Sequence, residues 1–157
     1  MRIALYQPDI AGNVGTILRT AACLGVGIDI IEPCGFPFSD RKLKRAGMDY
    51  ASAAKVTRHA DWAAFHESLS GRLALLTVTG GTALPAAKFE PGDTLLLGSE
   101  SAGVPEDVHT AADLRVRIPM REGFRSLNVA VAAGIAVSEA LRQNGEWPVS
   151  YTHLRAH

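Results

Sequence analysis

Cysteine, long apolar runs and surplus charge are all scarce in this sequence. Its 157 residues include two cysteines, Cys23 and Cys34, which are too few for a disulfide framework and lack the spacing of a metal site. We therefore expect reduced thiols in a cytoplasmic protein, with Cys23 packed in the core. No apolar run reaches about 18 residues, so no membrane-spanning helix is predicted. The N-terminus also lacks the apolar segment and cleavage site of a signal peptide.

The charges balance, with 16 Lys and Arg against 16 Asp and Glu. Zero net charge disfavours binding of nucleic acid over the whole surface but allows a local basic face. Positive residues cluster in two places, and for each cluster the alternatives are a solvated surface or a nucleic-acid-binding face. The candidate residues for such a face are Arg41, Lys42, Lys44, Arg45, Arg121 and Arg125. The five histidines show no ligand spacing, so no metal is predicted.

Short apolar segments alternate with helical patterns along the chain. Strands are predicted at 2–6, 28–31, 73–78, 94–97 and 114–118, and helices at 14–24, 40–46, 61–69, after Pro105 and at 127–143. Asn13 and Asp61 are the expected N-caps of two of these helices. The alternation predicts an α/β fold with a parallel sheet and helices on both faces. The length fits one domain, 1–148, and we expect the aperiodic tail 149–157 to be a non-native addition.

The last predicted helix is apolar on nearly every face. Residues 129–137 contain no polar side chain before the first charge at Glu139. Helices of globular proteins usually keep a polar face towards water, so a partner surface should cover this one. We expect a second subunit there, and we expect a charge at Ala133 or Ala136 to prevent dimerisation.

Three loops carry polar residues that suggest a ligand site. The first follows strand 2–6, the second leaves strand 94–97 through two glycines around a carboxylate, and the third opens the last helix. In open α/β sheets, ligands bind outside the carboxyl ends of the strands. Each loop alone could be an ordinary turn. Gly25-Val26-Gly27 is not a dinucleotide fingerprint, because it follows a helix and precedes a strand. A flavodoxin-like nucleotide binder is disfavoured, since loop 8–12 has no phosphate-binding run.

Taken together, the three loops resemble the SPOUT superfamily of S-adenosylmethionine-dependent RNA methyltransferases. The matching segments are Asn13-x-Gly15-x-x-x-Arg19, Gly98-x-Glu100-x-x-Gly103-x-Pro105, and Ile118-Pro119-Met120 with Ser126-Leu127-Asn128. The resemblance covers nearly all of residues 1–144. It is greatest to small bacterial members that 2′-O-methylate the wobble nucleotide, a cytidine or modified uridine at position 34, of leucine tRNAs. It implies a C-terminal trefoil knot, a homodimer, S-adenosylmethionine as methyl donor without a metal, and a tRNA anticodon stem-loop as partner.

The resemblance also implies roles for particular residues. The implied cofactor contacts are Leu76, Gly98, Ile118, Met120, Ser126 and Leu127, and the implied catalytic residues are Arg19, Asn13, Glu100, Ser126 and Asn128. Arginine holds its proton far above neutral pH, so Arg19 is better suited to stabilise a developing oxyanion than to act as a base. The alternative is a non-catalytic RNA- or cofactor-binding protein that retains the fold. The presence of all five polar residues favours the enzyme.

Overall fold

Seven parallel strands form a single sheet in the computed structural model, which describes residues 1–37 and 55–149. The strand order is β3-β2-β1-β6-β4-β7-β5. The strands are β1 Arg2–Tyr6, β2 Gly27–Ile31, β3 Val56–His59, β4 Leu73–Leu76, β5 Thr82–Ala83, β6 Thr94–Leu97 and β7 Leu114–Arg117. The predicted parallel sheet is confirmed, and all five predicted strands are present. The edge strands β3 and β5 were not predicted. The predicted helix 40–46, Arg41, Lys42, Lys44, Arg45 and the last eight residues of the tail lie outside the described residues.

In the part of the chain that the structure describes, four α-helices cover the two faces of the sheet. They are α1 Ala11–Leu24, α2 Trp62–Ser68, α3 Glu106–Ala111 and α4 Val129–Asn144. Side chains of β1 alternate between the two layers: Ile3 and Leu5 join the core with α1 and α4, whereas Ala4 joins the core with α2 and α3. This alternation follows from the two-residue period of a strand. The prediction of helices on both faces is therefore confirmed.

The helix starts test the two predicted caps. Asp61 caps α2 by accepting a hydrogen bond from the backbone N–H of Ala64 at 2.8 Å, as predicted. The prediction for α1 is wrong, because this helix begins at Ala11 after Ile10, which makes no side-chain cap, and Asn13 lies within its first turn. Helix α4 begins at Val129, where the side-chain oxygen of Asn128 accepts from the backbone N–H groups of Ala130 and Val131.

Helix α4 has one buried stripe and one exposed apolar stripe. Ala133 and Ala136 are 2% and 0% exposed and pack in the core of their own chain. The prediction that they form a subunit contact is wrong, and a charge at either position should destabilise the fold instead. The exposed apolar stripe consists of Val131 and Ile135 on α4 and of Leu127 just before the helix. Cys23 is exposed on α1, so its predicted core position is also wrong.

None of the helices in the described part of the chain is long and apolar enough to cross a membrane.

Candidate active site

A cavity of about 460 Å³ lies at the carboxyl end of the sheet. Its walls come from the segments that follow β4, β6 and β7 and from the start of α4. Beside it, the loops after β1 and β6 diverge, because β1 leads to α1 on one face and β6 leads to α3 on the other. Such a divergence is where open α/β sheets bind ligands. The volume lies within the range of small-molecule sites.

The loop after β6 is a tight turn that closes on itself. The N–H of Ser99 donates to the carbonyl of Gly103 at 3.1 Å, and the N–H of Gly103 donates back to Ser99 at 2.9 Å. Gly103 has a φ of +64°, a left-handed conformation that favours glycine. A Cβ at Gly98 would lie only 2.7 Å from backbone atoms of Gly103. The turn therefore requires both glycines, and it holds Glu100 at its tip.

Glu100 starts a chain of hydrogen bonds that joins three distant segments. One carboxylate oxygen accepts from the backbone N–H of Asp9 at 3.0 Å, and the other accepts from Nδ2 of Asn13 at 3.4 Å. Oδ1 of Asn13 accepts from Nδ2 of Asn128 at 3.0 Å. Asn128 is also the N-cap of α4, with Oδ1 2.8 Å from the N–H of Ala130. The loop after β6, the first turn of α1 and the start of α4 are thus linked through side chains.

The two carboxyl groups at one end of this chain differ in acidity. Partial burial, and then the hydrogen bond with Asp9, raise the pKa of Glu100. The hydrogen bonds with Glu100 and then with Ser101 lower the pKa of Asp9. Oδ1 of Asp9 is buried and has no hydrogen-bond partner among the described residues. A proton shared by this pair therefore belongs chiefly to Glu100.

Most of the predicted site residues line this one cavity. They include all six expected cofactor contacts and four of the five expected catalytic residues: Leu76, Gly98, Ile118, Met120, Ser126, Leu127, Asn13, Glu100 and Asn128. Arg121 and Arg125 are exposed in the loop that connects two of its walls, between Met120 and Ser126.

Arg19 is the exception. It does not line the cavity and is exposed on α1. It lies six residues after Asn13, which places it about 120° around the helix axis from Asn13. The cavity of a single chain therefore lacks the arginine that the sequence motif offers.

Among the described residues, sequence reasoning missed two ionisable side chains at the site, Asp9 beside Glu100 and His109 on α3. Asp9 directly follows the turn after β1, so the rule that ligands bind at the carboxyl ends of strands could have drawn attention to it. His109 lines the cavity from α3. No sequence signal marks it, because its position depends on how α3 packs on the sheet. Among residues 1–37 and 55–149, no group of three or more His, Cys, Asp or Glu is placed to hold a metal ion.

Several known proteins are similar to this chain in sequence and in fold. The tRNA (cytidine(34)-2'-O)-methyltransferase of Beijerinckia indica is 53% identical over 146 residues, covering 91% of each chain. A solved structure presented as "Structural insights into the 2-OH methylation of C/U34 on tRNA" is 44% identical, with a TM-score of 0.85, and the match covers 90% of this chain and 94% of the other. An AdoMet-bound rRNA methyltransferase from Sinorhizobium meliloti is 32% identical, with a TM-score of 0.78 over 90% of this chain and 55% of the other.

The match to a family description spans most of the chain. Residues 1–138 match the SpoU rRNA Methylase family. These residues include every strand, the loops around the cavity and the start of α4. The chain therefore belongs to the SpoU rRNA methylase family.

Proposed function

We propose that this protein transfers a methyl group from S-adenosylmethionine to the ribose 2′-hydroxyl of nucleotide 34 in transfer RNA. The observation that carries the proposal is the single cavity in which the glycine turn after β6 and the linked side chains of Glu100, Asn13 and Asn128 meet. The relative from Beijerinckia indica bears the name of that activity. The finer part of the proposal is a cytidine or modified uridine as the target, leucine tRNAs as substrates and a cytoplasmic location.

The cavity suits S-adenosylmethionine on two observations. Its volume of about 460 Å³ is that of a site for a small molecule, and its walls near Leu76 and Ile118 are apolar, as an adenine slot requires. The residues that would hold the cofactor are Leu76, Gly98, Ile118, Met120, Ser126 and Leu127. When bound, S-adenosylmethionine supplies an electrophilic methyl group on its sulfonium.

Asn13 and Asn128 are oriented to donate hydrogen bonds at the reacting sugar. Each side-chain amide has two N–H donors, and the contacts described above use one of them on each residue. No contact among residues 1–37 and 55–149 uses the remaining N–H groups, which would hold the 2′-hydroxyl oxygen. Glu100 fixes Asn13, and Asn13 fixes Asn128, so these donors are positioned before the substrate binds. Ser126 adds a further hydroxyl at the same wall.

We further propose that the active unit is a homodimer in which Arg19 of one protomer serves the cavity of its partner. Leu127, Val131 and Ile135 are 40%, 51% and 39% exposed, and Leu127 also lines the cavity. An apolar stripe at the rim of a cavity is a suitable surface for a second copy. In a two-fold dimer each protomer presents α1 and α4 to the other, so Arg19 can complete the partner's site. There its fixed positive charge would stabilise the developing oxyanion.

A charge in the exposed stripe tests the dimer. Val131→Glu should produce monomers in sedimentation velocity, because burying the new carboxylate in an interface is costly. Ala63→Glu is the matched control, since Ala63 is exposed on α2, on the other face of the sheet. A monomeric wild type, or a dimeric Val131→Glu variant, contradicts the proposal.

Subunit mixing tests the position of Arg19. Neither Arg19→Ala nor Glu100→Ala should transfer methyl groups alone. Random mixing of the two variants should restore about one quarter of the wild-type sites, because each mixed dimer contains one intact site if Arg19 acts across the interface. If Arg19 acts within its own chain, the mixture stays inactive. Arg19→Lys reports on the guanidinium: near-normal turnover by lysine would remove any need for its planar fork.

Transfer of radiolabelled methyl groups to total tRNA tests the reaction itself. We expect the label at nucleotide 34 of leucine tRNAs after nucleoside mapping. Label at another nucleotide contradicts the proposed target. Binding of S-adenosylmethionine without any labelling supports the non-catalytic alternative.

A salt series tests the RNA-binding residues, which are Arg121 and Arg125 beside the cavity together with Arg41, Lys42, Lys44 and Arg45. If several of these residues contact phosphates, raising the salt concentration from 50 to 200 mM should lower the affinity for tRNA at least about tenfold. Charge neutralisation at Arg121 and Arg125 should flatten that dependence. A wild-type affinity that does not change with salt argues against a basic face.

We also propose that the chain ends in a trefoil knot. The cavity joins the segments after β4, β6 and β7 with the start of α4, and a C-terminal knot would bring these same segments together. Pulling the unfolded chain by its two ends tests this. A tightened knot leaves the chain shorter than the full extension of about 3.6 Å per residue. Full extension contradicts the knot.

A further inference from the structure

We infer that His109 donates a hydrogen bond to an adenine ring nitrogen of the cofactor and that Arg115 is the positioning residue that holds His109 in the required tautomer. The inference rests on the proposed use of S-adenosylmethionine. It begins from one observation: His109, on the short helix α3, is the one histidine among the residues that line the 460 Å³ cavity.

Arg115 fixes the imidazole of His109 from strand β7. Nε of Arg115 donates to Nδ1 of His109 at 3.3 Å and to the carbonyl oxygen of His109 at 3.1 Å. Nη2 of the same guanidinium is 3.5 Å from the carbonyl of Thr110. Arg115 thus contacts both the ring and the end of α3 that carries it.

The backbone of Arg115 is itself firmly placed. Arg115 is paired with Leu75 in the parallel ladder between β7 and β4. Its neighbours Leu114 and Val116 point into the core on the α1 and α4 side, so the alternation of the strand directs the Arg115 side chain to the α3 side. On the outer side, Gly81 lies so close that a Cβ there would be 2.7 Å from the carbonyl oxygen of Arg115.

The contact with Arg115 decides which ring nitrogen carries the proton. A guanidinium has donors and no acceptor, so the Nδ1 that receives its N–H must offer a lone pair. The neutral ring then bears its proton on Nε2. The side chain that lines the cavity is therefore a hydrogen-bond donor in a defined tautomer. Without Arg115 both tautomers would be populated.

The position of His109 indicates which part of the cofactor it meets. The polar groups of the proposed methyl-transfer end, Asn13 and Asn128, come from α1 and α4 on one face of the sheet. His109 reaches the cavity from α3, which packs on the opposite face, away from that end. The adenine end of the cofactor is therefore the part that it would meet. An adenine ring offers nitrogen acceptors, and a single donor in an apolar wall gives orientation and specificity.

Calorimetry with the purified full chain tests the donor. Wild type should bind S-adenosylmethionine, and His109→Leu should bind it about tenfold more weakly, because a hydrogen bond is lost while an apolar side chain of similar size remains. His109→Gln should recover most of the affinity, since its amide N–H can replace Nε2–H. His66→Leu is the matched control, an exposed histidine on α2 that does not line the cavity.

Cofactor analogues separate a hydrogen bond from packing. The probes are S-adenosylmethionine analogues with carbon in place of N1, N3 or N7 of adenine. One of them should lose about tenfold affinity for the wild type and none further for His109→Leu, because both changes remove the same bond. If His109→Leu binds S-adenosylmethionine as well as the wild type, or weakens all analogues by the same factor, the inference is wrong. If the wild type does not bind S-adenosylmethionine, the proposed function fails instead.

The tautomer gives a readout for Arg115 that a purely structural role would not change. Nitrogen NMR of the His109 ring should show the proton on Nε2 in the wild type and a mixture of tautomers in Arg115→Met. A single Nε2–H tautomer in Arg115→Met would overturn the positioning role. Thermal unfolding of both proteins checks that the variant is folded at the temperature of the NMR measurement.

Discussion

Gly98→Ala is the substitution whose effect follows most directly from the geometry. The new Cβ would lie 2.7 Å from both the Cα and the carbonyl carbon of Gly103, whereas ordinary contacts begin at 3.4 Å. The atoms it meets belong to backbone, and that backbone is held by the two hydrogen bonds between Ser99 and Gly103. The turn must therefore open by about 0.7 Å or lose one of these bonds.

The size of the effect has a structural part and a binding part. Overpacking of this kind costs about 1–3 kcal/mol. For a chain of this length, each kcal/mol lowers the melting temperature by about 2–4 °C, so we expect a fall of about 2–12 °C. The same turn forms a wall of the cavity and carries Glu100, so the affinity for S-adenosylmethionine should fall at least about tenfold.

Gly92→Ala is the matched control for Gly98→Ala. Gly92 stands just before β6 and Gly98 just after it, and nothing lies within 4 Å of a Cβ built at Gly92. The free energy of unfolding of Gly92→Ala should differ from that of the wild type by no more than about 0.5 kcal/mol, and its affinity for the cofactor should be unchanged. The measurements are thermal unfolding and calorimetric titration of both variants. Gly98→Ala with wild-type stability and affinity would show that the turn has room, and the steric reasoning would be refuted.

Two further predictions use the caps and the carboxyl pair. Asn128→Ala and Asp61→Ala each remove an N-cap and should each cost about 1 kcal/mol in urea unfolding, but only Asn128→Ala should also reduce methyl transfer, because Asn128 contacts Asn13. Equal activities of these two variants would contradict a role for Asn128 beyond capping. Partial burial and Asp9 raise the pKa of Glu100, so protonated Glu100 stabilises the fold at low pH and this contribution is lost as the pH rises through the raised pKa. Relative to the wild type, Glu100→Gln should therefore gain stability as the pH rises above the ordinary glutamate pKa of about 4.3, and parallel pH profiles of the two proteins in urea unfolding would exclude the raised pKa.

The sheet was predictable where strands are buried and not where they lie at an edge. Strands β1, β2, β4 and β6 are short runs dominated by Ile, Leu, Val and Ala, which is typical of strands covered on both faces. Strand β7 was predictable instead from its alternation of apolar residues with arginine. β3 contains only one aliphatic residue, Val56, and β5 has two residues in all. Their pairing depends on a neighbouring strand that already exists. A local sequence pattern cannot show whether such a neighbouring strand is present.

Tertiary contacts overrode local preference at the start of α1. Asn13 is a good capping residue by type, yet its amide bonds Glu100 and Asn128 instead of the helix backbone. The helix begins earlier, after Ile10, which has no capping side chain. The resemblance of the sequence motif was the better guide to Asn13, because it indicated the contacts that the side chain makes across the fold.

The orientation of α4 shows a different limit of sequence reasoning. Residues 129–137 are apolar on every face, so no hydrophobic period says which side turns inward. In the structure Ala133, Ala136 and Val137 face the core, where α1 packs against α4, and Val131 and Ile135 face outward. The two alanines allow the close approach of two packed helices. The expectation of a covered helix therefore still applies, but to the opposite stripe from the one that was predicted.

Two features of the single chain point to the same missing component. One is chemical: the cavity holds Asn13, Glu100, Ser126 and Asn128 but no arginine from the first motif, because Arg19 lies about 120° away around α1. The other is physical: Leu127, Val131 and Ile135 leave an apolar stripe in water at the rim of the same cavity. A metal or a small ligand would supply a charge without covering the stripe, and an unrelated protein would cover the stripe without supplying Arg19. A second copy of this chain does both with one contact. Loss of the dimer in Val131→Glu should therefore remove methyl transfer as completely as Arg19→Ala does, while a monomeric variant that remains active would separate the two features.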